Sequence, residues 1–238
     1  MGVAASWRFL LCGVVACGGG GGDNPPGDGN PPPHDTTPPG DAPPCAPATL
    51  FIVSGGGTYT AGTNDAGANT IDFLSGKNTV TFAPYTAITL STALDCIGVR
   101  LAPFQITLAD VDPGTADHIE IVLSPGDSKE VGLAAGVISV TPVSCQAPHQ
   151  NNVVAAAWPQ TGNDDANETC DMVTQIVGQL AGLDFTSECN DAMAFNILGA
   201  GCGGAFTDTG QACNSGTCRC GGTTQNSLQG MVASYCAR

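Results

Sequence analysis

Three histidines, twelve cysteines and 21 carboxylates set against six Lys/Arg are the side chains with which this 238-residue chain could do chemistry. His34 lies among prolines and glycines, so His34, His118 and His149 do not make an ordered three-nitrogen zinc set. His118 stands beside Glu120 in an alternating run and reads as a surface or satisfied strand histidine, and His149, between Pro148 and Gln150, reads as a loop residue. Asp110, Asp112 and Asp117 bracket Pro113-Gly114, and acids around a turn can bind calcium. Their spacing does not match an EF-hand loop, so the preferred reading is a solvated acidic turn. No Ser-His-Asp or Cys-His grouping stands out.

Of the cysteines, Cys12 falls in an apolar N-terminal run and Cys17 follows small residues at its end. This leaves Cys45, Cys96, Cys145, Cys170, Cys189, Cys202, Cys213, Cys218, Cys220 and Cys236. Ten is an even number, and in an exported domain an even set reads as up to five disulfides whose connectivity stays open. The competing use is a cysteine zinc site in Cys213-x4-Cys218-x-Cys220, which needs reduced thiolates and suits an oxidising compartment poorly.

From Gln175 to Phe185 the chain reads Q-I-V-G-Q-L-A-G-L-D-F. This resembles the metzincin zinc signature H-E-x-x-H-x-x-G-x-x-H, with its four chemical residues replaced. Gly178, Gly182, Leu183 and Asp184 stand where matrixin-type members often have H-E-[apolar]-G-H-x-x-G-L-D-H, and Met193 follows at the spacing of that family's Met-turn. Gly56-Gly-Thr-Tyr59, Asp112-Pro-Gly114 with His118-Ile-Glu120, and the Cys218 to Ser227 tail are similar to secreted, cysteine-rich bacterial matrixin-like proteins, so the resemblance covers about residues 50 to 236. It implies a zincin-like α+β domain with a twisted mixed sheet, an active-site-type helix, a Met-turn at Met193 and a C-terminal helix.

The resemblance also implies which positions held the chemistry. Gln175, Gln179 and Phe185 occupy the three zinc-ligand positions, and Ile176 occupies that of the general base. Carboxamides are poor zinc ligands beside imidazole, and phenylalanine offers no lone pair. Isoleucine accepts no proton, a loss worth about 10²- to 10⁴-fold in rate by itself. Neither a catalytic set nor a metal site is therefore expected there.

The elements that must position these residues show in the periodicity. Leu50–Val53 is a short β-rich run, and Thr58–Thr60 is expected to continue its sheet after a bulge or turn. Leu90, Ala93, Leu94, Ile97 and Leu101 recur at helical spacing, predicting a helix over 88–101 that Pro103 stops. Strands are expected over 105–111, 118–123, 137–143 and 153–157. A second helix is expected from about Thr169 to Ala181, with Glu168 and Asp171 near its positive end, Val173, Ile176, Val177 and Leu180 as its buried stripe, and Gly182 as its terminator. A last helix spans about 227–236. Strands first and helices interspersed make an α+β domain.

At the N-terminus, Met1–Arg8 and the apolar Phe9–Ala16 have the layout of an export signal too short to cross a bilayer. Val14-Val-Ala-Cys17 resembles the lipobox of bacterial lipoproteins, which implies lipidation at Cys17. Residues 18–44 are nearly free of apolar side chains and rich in Gly and Pro, the composition of a tether. The expected organisation is a signal over 1–16, lipidated Cys17 with its tether over 17–44, and a metzincin-like domain over 45–238. Loss of Arg8 with the signal leaves five basic side chains against 21 acidic ones, a net of about −16, with no basic footprint for nucleic acid.

The resulting expectation is a lipid-anchored bacterial envelope protein, on the outer membrane or cell surface. It would be a pseudoprotease without cofactor, using its former cleft for a protein or peptide ligand or for structure. Two other readings stay open: a zinc metallopeptidase with unrecognised ligands, and a disulfide-rich structural or adhesive surface module.

Overall fold

The computed structural model describes residues 45–143, 145, 150–159, 165–195 and 202–238, so His34, Cys17, the 18–44 stretch and His149 lie outside the described residues. In chain order the elements are β1 (Ala48–Val53), β2 (Gly57–Ala61), β3 (Thr70–Ile71), β4 (Thr79–Phe82), α1 (Leu90–Leu101), β5 (Ile106–Ala109), β6 (Ile119–Leu123), β7 (Ser139–Val140), β8 (Val153–Ala157), α2 (Ala166–Leu180), β9 (Gly210–Ala212), β10 (Thr224–Asn226) and α3 (Ser227–Tyr235). The class is α+β. The main sheet runs β5-β1-β6-β8-β7, parallel throughout except for the antiparallel edge strand β7.

Parallel strands need cover on both faces, and both are covered. β6 and β8 are buried at every position. Ile119, Ile121 and Leu123 of β6 and Val153, Ala155 and Ala157 of β8 join a core with the three helices. Val122, Val154 and Ala156 point the other way, into a second core with Tyr59, Ile71, Val80, Phe82 and Trp158. That second layer is a separate small sheet, β3-β2-β4.

Thr58–Thr60 therefore does not continue the first sheet. Gly56 turns the chain off it with φ 76°, and a Cβ there would meet the Phe82 carbonyl oxygen at 2.5 Å. Only glycine fits such a position. The strand expected over 137–143 shrinks to two residues, because Gly136 precedes it at φ 87° and Pro142 can donate no ladder hydrogen bond. β3, β4, β9 and β10 are elements the sequence pattern left out.

The helices begin and end close to where periodicity puts them. α1 starts at Leu90, since Ile88 is 90 % exposed and outside the apolar stripe. α2 starts earlier than Thr169, because the Asp165 side chain caps it by accepting from the Asn167 amide at 2.8 Å. The stripe Val173, Ile176, Val177 and Leu180 is buried, but so is every residue from Glu168 to Leu180. Met193, Ala194, Gly203 and Phe206 lie against the side that a surface helix would show to water. Asp171, expected to answer the helix dipole, instead pairs with Arg100 of α1, and a Cβ on Gly203 would lie 2.4 Å from its Oδ1.

The ten cysteines form five disulfides: Cys45–Cys236, Cys96–Cys170, Cys145–Cys220, Cys189–Cys202 and Cys213–Cys218. Cys96–Cys170 staples α1 to α2, and Cys45–Cys236 closes a loop of sequence separation 191. Peptide mapping without reduction is expected to recover these five pairs. Cys45→Ser with Cys236→Ser is expected to lower the urea-unfolding free energy by about 2–5 kcal/mol; an unchanged midpoint would contradict the assignment.

Candidate functional site

The segment that resembles a zinc signature is the C-terminal half of α2 and the turn after it. Gln175 and Gln179 lie one helical turn apart, each 5 % exposed. The Gln175 carboxamide nitrogen donates to the Ala194 carbonyl. Gln179 has no side-chain hydrogen bond among the described residues. Ile176 is fully buried in the main core, so the side chain in the general-base position packs rather than faces a cleft.

α2 ends at Leu180, and two residues on, Gly182, with φ 83°, bends the chain into the left-handed region. The Gly182 amide donates to the Gln179 carbonyl at 2.9 Å and the Leu183 amide to the Gly178 carbonyl at 3.0 Å, closing the helix end. The next residues are held by hydrogen bonds. The Asp184 carboxylate accepts from the Phe185 amide at 2.8 Å and the Arg219 amide at 2.9 Å, the Asp184 amide donates to Gln225 Oε1 at 2.8 Å, and the Asn214 amide donates to the Phe185 carbonyl at 2.8 Å.

Met193 sits in a turn directly against this segment. The Thr186 amide donates to the Met193 carbonyl at 2.8 Å, and the Phe195 amide to the Thr186 carbonyl at 2.9 Å. The Phe185 and Phe195 rings meet edge to face with centroids 5.7 Å apart. Below, Met193 Sδ lies only 2.3 Å from where a Cβ on Gly178 would stand, with Phe206 behind it. Gln175, Gly178, Gly182, Phe185 and Met193 thus form one packed constellation.

Its donor set does not fit zinc. One carboxamide is spent on a backbone carbonyl, the other is neutral, and the third position is a phenyl ring. Among the described residues no group of three or more His, Cys, Asp or Glu could hold a metal ion. Asp110, Asp112 and Asp117 are exposed, and Asp112 Oδ1 accepts from the Gly114 amide at 2.7 Å, so that acid braces its own turn.

A second constellation escaped the sequence reading. His118 and Glu120 are 0 % and 2 % exposed, not on a solvent face, because β2 lays Tyr59 over them. The Tyr59 hydroxyl donates to Glu120 Oε1, and His118 Nε2 lies 3.2 Å from Glu120 Oε2. His118 Nδ1 lies 2.7 Å from the Ala116 carbonyl. A carbonyl only accepts, so Nδ1 carries a proton, and the Nε2–Oε2 contact then holds one proton on one side or the other. Burial pushes the Glu120 carboxyl above its ordinary range, against the pull of its bonds from Tyr59 and His118. Burial and the adjacent carboxylate push the Tyr59 hydroxyl up as well. Alternation in the sequence identified the face these residues share, but it carried no sign that another layer covers it.

No family model, curated protein or solved structure matches the chain.

Two outcomes follow from this packing and burial. Gly178→Ala is expected to cost about 1–3 kcal/mol by driving a methyl into Met193, while Gly98→Ala on α1, with nothing within 4 Å, is expected to be neutral or to add up to about 1 kcal/mol; chemical denaturation compares them. A carboxyl whose folded pKa is raised contributes stability that is complete below its unfolded pKa and is lost as pH rises through the folded value. The unfolding free energy should therefore fall from about pH 4.5 upward more steeply in the native protein than in Glu120→Gln, where the group no longer titrates.

Proposed function

We propose that this chain is an exported, lipid-anchored envelope protein whose domain keeps a metzincin-like scaffold while its zinc chemistry is lost. One observation carries the reading. The helix bearing Gln175 and Gln179, the left-handed Gly182, Phe185 and the Met193 turn meet in a single constellation, although 18 residues separate Gln175 from Met193. An unrelated amphipathic helix ending in glycine has no need to pack on a methionine turn at that spacing. The element order, strand, α1, strands, α2, methionine turn and α3, supports it further. The lipobox-like Val14–Cys17 and the Gly/Pro-rich stretch behind it support the anchor and its envelope location.

Within this reading the former site serves as structure more than as a peptide cleft. Gln175 is tied to Ala194 and Ile176 lies in the core, so the ligand-side face of the helix is occupied by the protein itself. The disulfide-rich surface-module reading shares this feature and differs only in ancestry.

Metal analysis separates the alternatives. The oxidised full chain is expected to hold no stoichiometric zinc, whereas a folded variant carrying Gln175→His, Gln179→His and Phe185→His is expected to take up about one zinc per chain. Ile176 stays unchanged because a carboxylate in that core position would disrupt folding. A native protein with one tightly held zinc would restore the metallopeptidase reading. A folded triple variant that ignores zinc would leave the scaffold resemblance without support.

A further inference from the structure

On the face of the main sheet away from the helices lies a cavity of about 390 Å³, the size of a small-ligand pocket. Its walls are the end of β1 and the Ser54–Gly57 turn, its floor is Tyr59 and Glu120, and Asp110 and Asp112 stand at its rim. This places it beyond the carboxyl ends of two adjacent parallel strands. After β1 the chain leaves for the small sheet, and after β5 it returns to β6 on the other side of β1. Crevices where neighbouring parallel strands send their connections apart are where sheets of this kind bind ligands. The location and the chemistry of the lining are independent observations.

The lining is one-sided. It offers carboxylates, a phenol, the Phe51 ring and the backbone of a glycine turn, and it contains no lysine or arginine. Four of the five described cations have side-chain partners elsewhere, and the fifth, Arg219, has its backbone amide bonded to Asp184. Lys77 donates to the carbonyls of Lys129 and Glu130, Arg100 pairs with Asp171, Lys129 with Asp127, and Arg238 donates to the Ile106 carbonyl. Glu120 already shares one proton with His118, so the charge left unanswered is that of Asp110 and Asp112. The half-buried Phe51 ring beside a carboxylate rim suits a cation that also has a hydrocarbon stem. An inorganic ion would leave the half-buried Phe51 ring unused. The exposed Gly55, with nothing within 4 Å of a Cβ, and the left-handed Gly56 keep the turn side-chain-free where a ligand backbone or stem would pass.

We propose that this cavity binds an alkylammonium or alkylguanidinium group, with its stem against the Phe51 ring and its charge at Asp110 and Asp112. The group belongs either to a free amine or to a lysine or arginine side chain of a peptide. The test is a titration of the oxidised full chain, followed by amide chemical shifts, with n-butylammonium, n-butylguanidinium, a capped Ala-Lys-Ala peptide and neutral n-butanol. The expected result is saturable shifts at Gly55, Gly56, Tyr59 and Asp112 with the cationic probes, weakened by added salt. The double variant Asp110→Asn/Asp112→Asn, whose carboxamides can still accept the turn's hydrogen bonds, is expected to lower affinity about tenfold. Asp95→Asn, an exposed acid on α1, is expected to leave affinity unchanged. Tighter binding of the small amines would mark a free ligand, and tighter binding of the peptide a side-chain ligand; both sustain the proposal. It is overturned if no cationic probe saturates, if butanol binds as well as butylammonium, if the double variant binds unchanged, or if calcium alone occupies these residues.

Discussion

The carboxylate of Asp191, with no exposure to solvent, accepts four hydrogen bonds: from the Met193 amide at 2.7 Å, the Thr207 amide at 3.1 Å, the Thr207 hydroxyl at 2.6 Å and the Ser227 hydroxyl at 2.6 Å. A bare charge at that depth would cost several kcal/mol, and four donors offset the cost only if all are in place at once. The constraint therefore acts on three segments together. It sets the pitch of the methionine turn, fixes the chain at Thr207 and anchors the first residue of α3. The Ala194 carbonyl that receives Gln175 and the sulfur beneath Gly178 belong to the turn this group braces, together with the Cys189–Cys202 bridge.

α2 shows what such a constraint allows. A helix buried nearly all round needs neighbours that come close, and its two motif glycines serve that need in different ways. Gly178 provides room, since the approach of Met193 and Phe206 leaves no space for a methyl. Gly182 provides conformation, since the chain must reverse hand to bring Asp184 and Phe185 back over the helix end. This packing aims the Gln175 carboxamide at the Ala194 carbonyl.

What could be read from residue types followed from how local the cause was. Helical spacing placed α1, α2 and α3 to within a few residues, and β8 was found at its full length, because apolar periodicity is a property of contiguous sequence. The oxidation of all ten domain cysteines followed from their even number, whereas their pairing depended on which loops come together. The small sheet was missed: Thr70–Ile71 is two residues long and Thr79–Phe82 sits among Asn, Gly and Ser, so neither gives a pattern. Because that sheet gives no pattern, the choice for His118 between a surface and a satisfied strand histidine stayed open, and the layer carrying Tyr59 decides it for the second. The clamp of Gln225 on the Asp184 backbone had no signal at all, since a lone glutamine in a Thr/Asn run looks like surface.

The two ends of the described domain are woven into one knot of contacts. Cys45 is bonded to Cys236, and the Ala46 amide donates to the Ser234 carbonyl at 3.2 Å. The Gln105 amide, just before β5, donates to the Tyr235 carbonyl at 3.1 Å, and the Arg238 amide to the Pro103 carbonyl at 2.9 Å. Mechanically, a pull on the chain ahead of Cys45 does not reach β1 first. The covalent bridge takes the load into the end of α3 and, through the flanking backbone bonds, into the loop between α1 and β5, so it is divided among several elements before it reaches β1 inside the sheet. In a domain wired this way the load is shared only for as long as the outermost sulfur bridge stays oxidised.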